Sequence, residues 1–287
     1  TAHPAAFALA GALARDSGIR VEAVEPARLP ATRLASFLSG RGSETLAEAG
    51  RRADAVVTFR SFWPEDPLYP HARRTNIRIV EIDAGRPLDG ALPGIALAEP
   101  SDDGAAYAAL GLQPMPATGE GSAPWLAPTN MGRMADVLAA DLARLDPPSA
   151  DRIAANLAAL KQRLLSLKAE ADTALSEAND LTAIALSPHF AYLCADLGVD
   201  LLASITAAPN EWTPERAARL TAWLGENAVP VVLLDAEPNE DLAAAIANAE
   251  ARLAILANID GETDEPTAAI AQNLRSIAAV FGESRSR

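Results

Sequence analysis

The sequence predicts an α/β protein of two lobes, each a mostly parallel sheet with flanking helices, joined by one long backbone helix. Short apolar runs alternate with segments of helical period along both halves of the chain, the pattern of strands linked by crossover helices. A single apolar stripe of about seven turns occupies the middle. The length of 287 residues exceeds what one small core requires, so two lobes of about 130 residues each are the natural division.

Residues 4–14 carry apolar side chains at helical spacing, and Gly18 is placed to stop that helix. Residues 19–24 then alternate as a strand. A helix over residues 43–51 precedes the apolar run 55–59, which reads as a buried strand, and residues 77–82 supply another after the turn-rich stretch 64–70. Between residues 83 and 128 Gly, Pro, Ser and Asp dominate, with a helical pattern only near 105–110. Thr129 is placed to cap a helix over 130–145, which Pro147 and Pro148 end.

The strongest periodicity follows. Ile153, Leu157, Leu160, Leu164, Leu167, Ala171 and Leu175 recur at three- and four-residue steps, with Lys161, Arg163, Lys168 and Glu170 on the opposite face. Such a helix is about 40 Å long. A coiled-coil dimerisation helix competes with this reading, but the stripe is short for one. Strands over 181–186, 201–205, 229–234 and 253–259 then alternate with helices over 190–197, 213–226, 241–251 and 267–281. Thr213-Pro214-Glu215 has the threonine cap and first-turn proline of a helix start. Residues 283–287 read as a frayed tail. The expected division is a lobe over 1–145, a connecting helix over 146–177 and a second lobe over 178–287.

A net charge of -14 argues against a nucleic-acid or anionic-membrane binder, which needs Lys and Arg clustered on one face. It favours cations or a partner protein, and also serves solubility. Cys194 is the single cysteine, so neither an internal disulfide nor a thiolate-rich zinc or redox site can form. No run approaches the roughly 20 apolar residues of a membrane span. The chain opens on Thr1-Ala2-His3-Pro4 without a basic leader, as expected where a signal peptide never existed or has been removed. The nucleophile-elbow, P-loop and zinc-protease motifs are missing, and Ser187 lies only two residues from His189, so the expectation is a binding protein with no catalytic residue or catalytic cofactor.

Several strings, taken in order, resemble the ABC-transporter solute-binding proteins that capture zinc, manganese or iron. Trp125-Leu126-Ala127-Pro128, with Leu145-Asp146-Pro147 beyond it, is similar to the family's His-x-Trp-Leu-x-Pro stretch. The helix over 150–175 matches its lobe-connecting helix, Ala236-Glu237-Pro238 its Phe-x-Glu-Pro-Gln, Ile259-Asp260-Gly261 its Leu-Asp-Pro, and Ala53-Asp54-Ala55-Val56-Val57 its Ala-Asp-Leu-Val-Val. The resemblance implies a monomeric periplasmic or extracytoplasmic protein with its signal peptide removed. It implies capture of a transition-metal ion, zinc or manganese, in the cleft between the lobes and delivery to a membrane ABC permease.

The resemblance also implies four ligands, three of which are replaced. The expected histidine positions fall at Ser36, Ala123 and Ser187, and only Asp260 retains a ligand. One carboxylate cannot hold zinc, which takes about four N, S or O donors. His189, His71 and His3 all lie at strand-to-helix junctions or in loops, where α/β proteins gather ligands. They are the substitutes, together with Asp260; each also has a plainer role as a surface or capping residue. Glu237, Arg60, Trp63, Ser187 and Ser36 are secondary ligand-binding candidates. A cleft guanidinium repels a bare cation but pairs with an anion, so Arg60 supports a second expectation: a chelated metal or small organic anion. The plainer role of Arg60 is a surface pair with Glu65 or Asp66.

Overall fold

A computed structural model describes residues 1–24, 31–96, 103–114, 123–259 and 265–282. The chain divides into two compact units. The first comprises Thr1–Leu97, Asn130–Leu164 and Ile259–Thr267, and the second Ala98–Thr129, Leu165–Asn258 and Ala268–Arg287. The fold is the mixed α/β architecture with parallel sheets that the alternation predicts.

In the first unit, α1 (Pro4–Ala14) places Pro4 in its first turn and is capped by His3, whose Nδ1 accepts from the Ala5 amide at 3.1 Å. Its seven buried residues are all Ala or Leu; small side chains let neighbouring elements approach the helix on several sides. Helices α2 (Ala31–Ser39) and α3 (Ser43–Arg52) lead to β1 (Ala55–Thr58), and α4 (Leu68–Thr75) crosses over to β2 (Val80–Asp83), which pairs parallel with β1. Leu34, Leu38, Leu46, Val56, Trp63, Leu68 and Ile79 form the core around them.

The expected strand over residues 19–24 does not form. Its apolar side chains are half-buried and its charged ones exposed, as alternation requires, but its backbone joins no ladder. The Val24 amide instead donates to the Thr1 carbonyl at 2.8 Å. A cleft of about 800 Å³, lined by residues 18–24 on one side and 53–57 on another, separates this segment from β1. Helix α4 occupies what reads as a turn-rich segment, because Pro70 falls within the first turn, where a missing N–H breaks no helical bond.

In the second unit, after α5 (Gly104–Leu110) and a single 3₁₀ turn (Pro124–Leu126), the sheet is built from β3 (Thr182–Ala185), β4 (Asp200–Ser204), β5 (Val231–Leu234) and β6 (Arg252–Ile255). All pairings are parallel and the spatial order is β4-β3-β5-β6. Helices α8 (Ala191–Leu197), α9 (Pro214–Glu226) and α10 (Glu240–Asn248) form the crossovers, and α11 (Thr267–Gly282) follows. The strands are shorter than the apolar runs predict, since runs such as 253–259 continue apolar beyond the last ladder bond. Thr213 caps α9 and Asn239 caps α10 through their N3 amides.

Helix α6 (Pro128–Leu145) begins two residues before its expected start. Thr129 is therefore not its cap; its Oγ1 and amide both donate to Asp196 of α8, at 2.6 and 2.9 Å. Helix α7 (Ala150–Leu175) has the predicted extent. Ile153, Leu160, Leu164, Leu167, Ala171 and Leu175 are buried, Leu157 is half-buried, and Lys161, Arg163 and Glu170 are exposed. Among the described residues no helix is long and apolar enough to cross a membrane.

Candidate functional site

The strand order of the second unit locates a crevice before any side chain is considered. The chain leaves β3 for β4 on one side and returns to β5 on the other, so the connections leaving β3 and β5 diverge at their carboxyl ends. In open parallel sheets ligands bind at such a switch point.

Two of the predicted residues stand there. Beyond β3, Ser187 is buried, and its Oγ donates to Asp235 Oδ2 at 2.7 Å, the residue that follows β5. Ser204 at the end of β4 donates to the Ser187 carbonyl at 2.9 Å, which ties three strand ends together. The His189 amide donates to Ser187 Oγ at 3.3 Å, and the His189 ring stands edge-on to the buried Phe190, which opens α8. This places His189 Nε2 3.7 Å from Asp235 Oδ2, with the histidine side chain 21% and the aspartate 34% exposed. Asp235 was not among the sequence candidates; the signal for it is an acidic residue directly after the fully buried strand β5.

Glu237, two residues further on, is exposed. Trp125 Nε1 donates to Asn258 Oδ1 at 2.9 Å, anchoring the chain just before residue 259. Ala123, at one expected histidine position, is fully buried. Asp260 lies outside the described residues.

The first unit gathers its polar residues at the carboxyl ends of β1 and β2. Arg60 Nη1 donates to Glu81 Oε2 at 3.2 Å, and the buried Thr58 hydroxyl to Oε1 of the same carboxylate at 3.1 Å. The partner of Arg60 is thus Glu81 rather than Glu65 or Asp66. Asp83 accepts from the Ser61 amide and hydroxyl on Oδ2 and from the Gly85 amide on Oδ1. Gly85 is required by proximity: a Cβ there would stand 2.7 Å from Ser61 Cβ and 2.8 Å from the Phe62 ring. Burial raises the pKa of Asp83, and burial raises that of Asp66 to about 6. Arg60 is therefore surrounded by carboxylates, which counter its attraction for an anion.

The remaining histidines serve the backbone. His3 spends its Nδ1 lone pair on the α1 cap, and its ring lies 5.0 Å from the Phe59 ring and 6.0 Å from that of Trp63, which is buried in the core. His71 Nδ1 donates to the Pro67 carbonyl at 2.8 Å, and its Nε2 is 3.0 Å from Ser39 Oγ. Ser36 is exposed on α2. Among the described residues no three His, Cys, Asp or Glu side chains converge to hold a metal.

A family model described as zinc-uptake complex component A, periplasmic, matches residues 85–280, more than half of the chain. Among solved structures, a FpvC mutant from Pseudomonas aeruginosa matches with a TM-score of 0.73 at 19% identity, over 98% of this chain and 97% of that one. The Zn(II)-bound ZnuA-like domain of Streptococcus pneumoniae AdcA gives 0.69 at 18% identity, over 97% and 96%. The laminin-binding protein Lbp of Streptococcus pyogenes gives 0.63 at 17%, over 96% and 95%. At these identities the structures speak for the fold alone. No curated protein sequence matches the chain. The family match, with the fold these structures share, places the chain among the ZnuA-like periplasmic solute-binding proteins, which bind metal ions and work with ABC permeases rather than acting as enzymes.

Proposed function

We propose that this chain is an extracytoplasmic, monomeric capture protein that binds a transition-metal ion of the zinc or manganese class and hands it to a membrane ABC permease. The observation that carries the reading is His189 at the switch point of the second unit's sheet, its Nε2 within 3.7 Å of a carboxylate oxygen. Imidazole suits zinc and its neighbours in the transition series, and carboxylate suits manganese as well. The metal is the cargo, not a resident cofactor. Asp260 is the ligand that the family resemblance implies. Arg60, paired with Glu81, lends no support to an organic-anion cargo.

The test is elemental analysis of the purified chain before and after incubation with Zn²⁺ and Mn²⁺, with thermal unfolding in parallel. A ligand bound only by the folded state stabilises it by about 2.7 kcal/mol at one hundred times Kd and so raises the melting point with ligand concentration. Uptake of near one equivalent with a rising melting point is expected; no uptake and no shift with either ion would sink the reading.

A further inference from the structure

We infer that Asp235 is a metal ligand, sharing one ion with His189. This deepens the proposed function and rests on it.

Zinc holds imidazole nitrogen and carboxylate oxygen at about 2.0–2.2 Å, so two ligands of one tetrahedral ion stand about 3.4 Å apart. His189 Nε2 and Asp235 Oδ2 stand 3.7 Å apart, a few tenths of an ångström from that spacing, and both side chains reach solvent. The two groups come from different strand ends, β3 and β5, so the sheet itself fixes their approach. The carboxylate is further held by the buried Ser187 hydroxyl on Oδ2, the outer hydrogen bond that ligating carboxylates commonly carry. Among the described residues nothing donates to Oδ1, which leaves that oxygen to a water bound on the ion. At the position where the resemblance expects a histidine, Ser187 thus holds a carboxylate rather than binding metal itself. The coordination positions that His189 and Asp235 do not fill go to water or to further side chains.

The experiment is isothermal titration of Zn²⁺ and Mn²⁺ into wild type, D235N, H189Q and the double variant. The metal-free melting point and far-ultraviolet circular dichroism of each variant check its fold. Each single variant is expected to weaken zinc at least 10-fold, and the double variant to be hardly weaker than either, because both residues serve one ion. The Asp235 carboxyl ¹³C resonance of the wild-type protein, assigned by its loss in D235N or in D235E, should shift on zinc addition; this readout needs no variant to bind. Wild-type affinity retained by D235N, full additivity in the double variant, or an unmoved Asp235 resonance in zinc-loaded wild type would each overturn the inference while leaving the capture function standing. Wild type that takes up neither ion fails the functional reading itself.

Discussion

Asp66 is the carboxyl whose ionisation should be most visible in the stability of the protein. Its side chain is 3% exposed; Oδ1 accepts from the Leu68 amide at 2.9 Å, and Oδ2 has no hydrogen-bond partner among the described residues. Burial raises its pKa from 3.8 to about 6, against the pull of the Leu68 amide, of the Thr1 ammonium and of Arg60, and with a further push from Glu81. A carboxyl that binds its proton more tightly folded than unfolded stabilises the fold while protonated. That stability is fully present below pH 3.8 and is lost as pH rises through 6. Each pH unit between those values is worth roughly 1.4 kcal/mol, so the ionised side chain costs the native state about 3 kcal/mol at neutral pH.

Asp66→Asn keeps the Oδ1 acceptor and removes the ionisation. Urea unfolding followed by tryptophan fluorescence, in chelator-treated buffer at pH 4, 5, 6 and 7.5, isolates the effect, with Trp63 buried in the same core. The variant should match wild type at pH 4 or fall below it by up to about 2 kcal/mol, the cost of an amide nitrogen that finds no acceptor. It should exceed wild type by about 1–3 kcal/mol at pH 7.5, the lower figure allowing for an amide nitrogen that finds no acceptor. Parallel pH profiles for the two proteins would refute the assignment, since the raised proton affinity would then not belong to Asp66.

Two further outcomes follow from the second unit. Burial pushes the Cys194 thiol up to about 12, so at pH 8 a thiol reagent should label the native protein negligibly and the urea-unfolded protein fully; rapid native labelling would contradict the packing around α8. The two capped crossover helices should differ in sensitivity. Asn239→Ala removes a 2.8 Å cap bond to Leu242 together with two side-chain bonds to the Pro209 and Trp212 carbonyls, and should cost about 2 kcal/mol. Thr213→Ala removes one cap bond of 3.4 Å and should cost about 0.5 kcal/mol in the same unfolding assay.

The elements legible in the sequence are those whose burial is decided locally. Helix α7 is fixed by its own stripe, and β5 reads as buried because Val231–Leu234 is apolar on both faces. Residues 19–24 show the limit: alternation reports which side chains turn inward, whereas a strand also needs a partner edge within hydrogen-bonding distance, and β1 lies across a cleft. Thr129 shows the same limit in a cap. Its position beside an apolar helix satisfies every local rule, yet Asp196, 67 residues away, claims both its donors.

The three histidines carry this argument to the site. Each stands at a junction, and nothing in the neighbouring sequence separates them. Their roles diverge through what the fold brings to the ring nitrogens: an amide two residues on for His3, a helix carbonyl and a serine from another helix for His71, and a carboxylate from a second strand end for His189. Only the last is supplied by a strand neighbour that the chain reaches after two crossovers, so periodicity could not reveal it. The signal that could have done so is topological. Once 181–186 and 229–234 are read as parallel strands, the order in which they pair decides whether Ser187, His189 and Asp235 meet, and the order β4-β3-β5-β6 makes them meet. Asp235, one strand end away from the histidine position at residue 187, is therefore brought to His189 by the strand order and not by anything in the sequence around either residue.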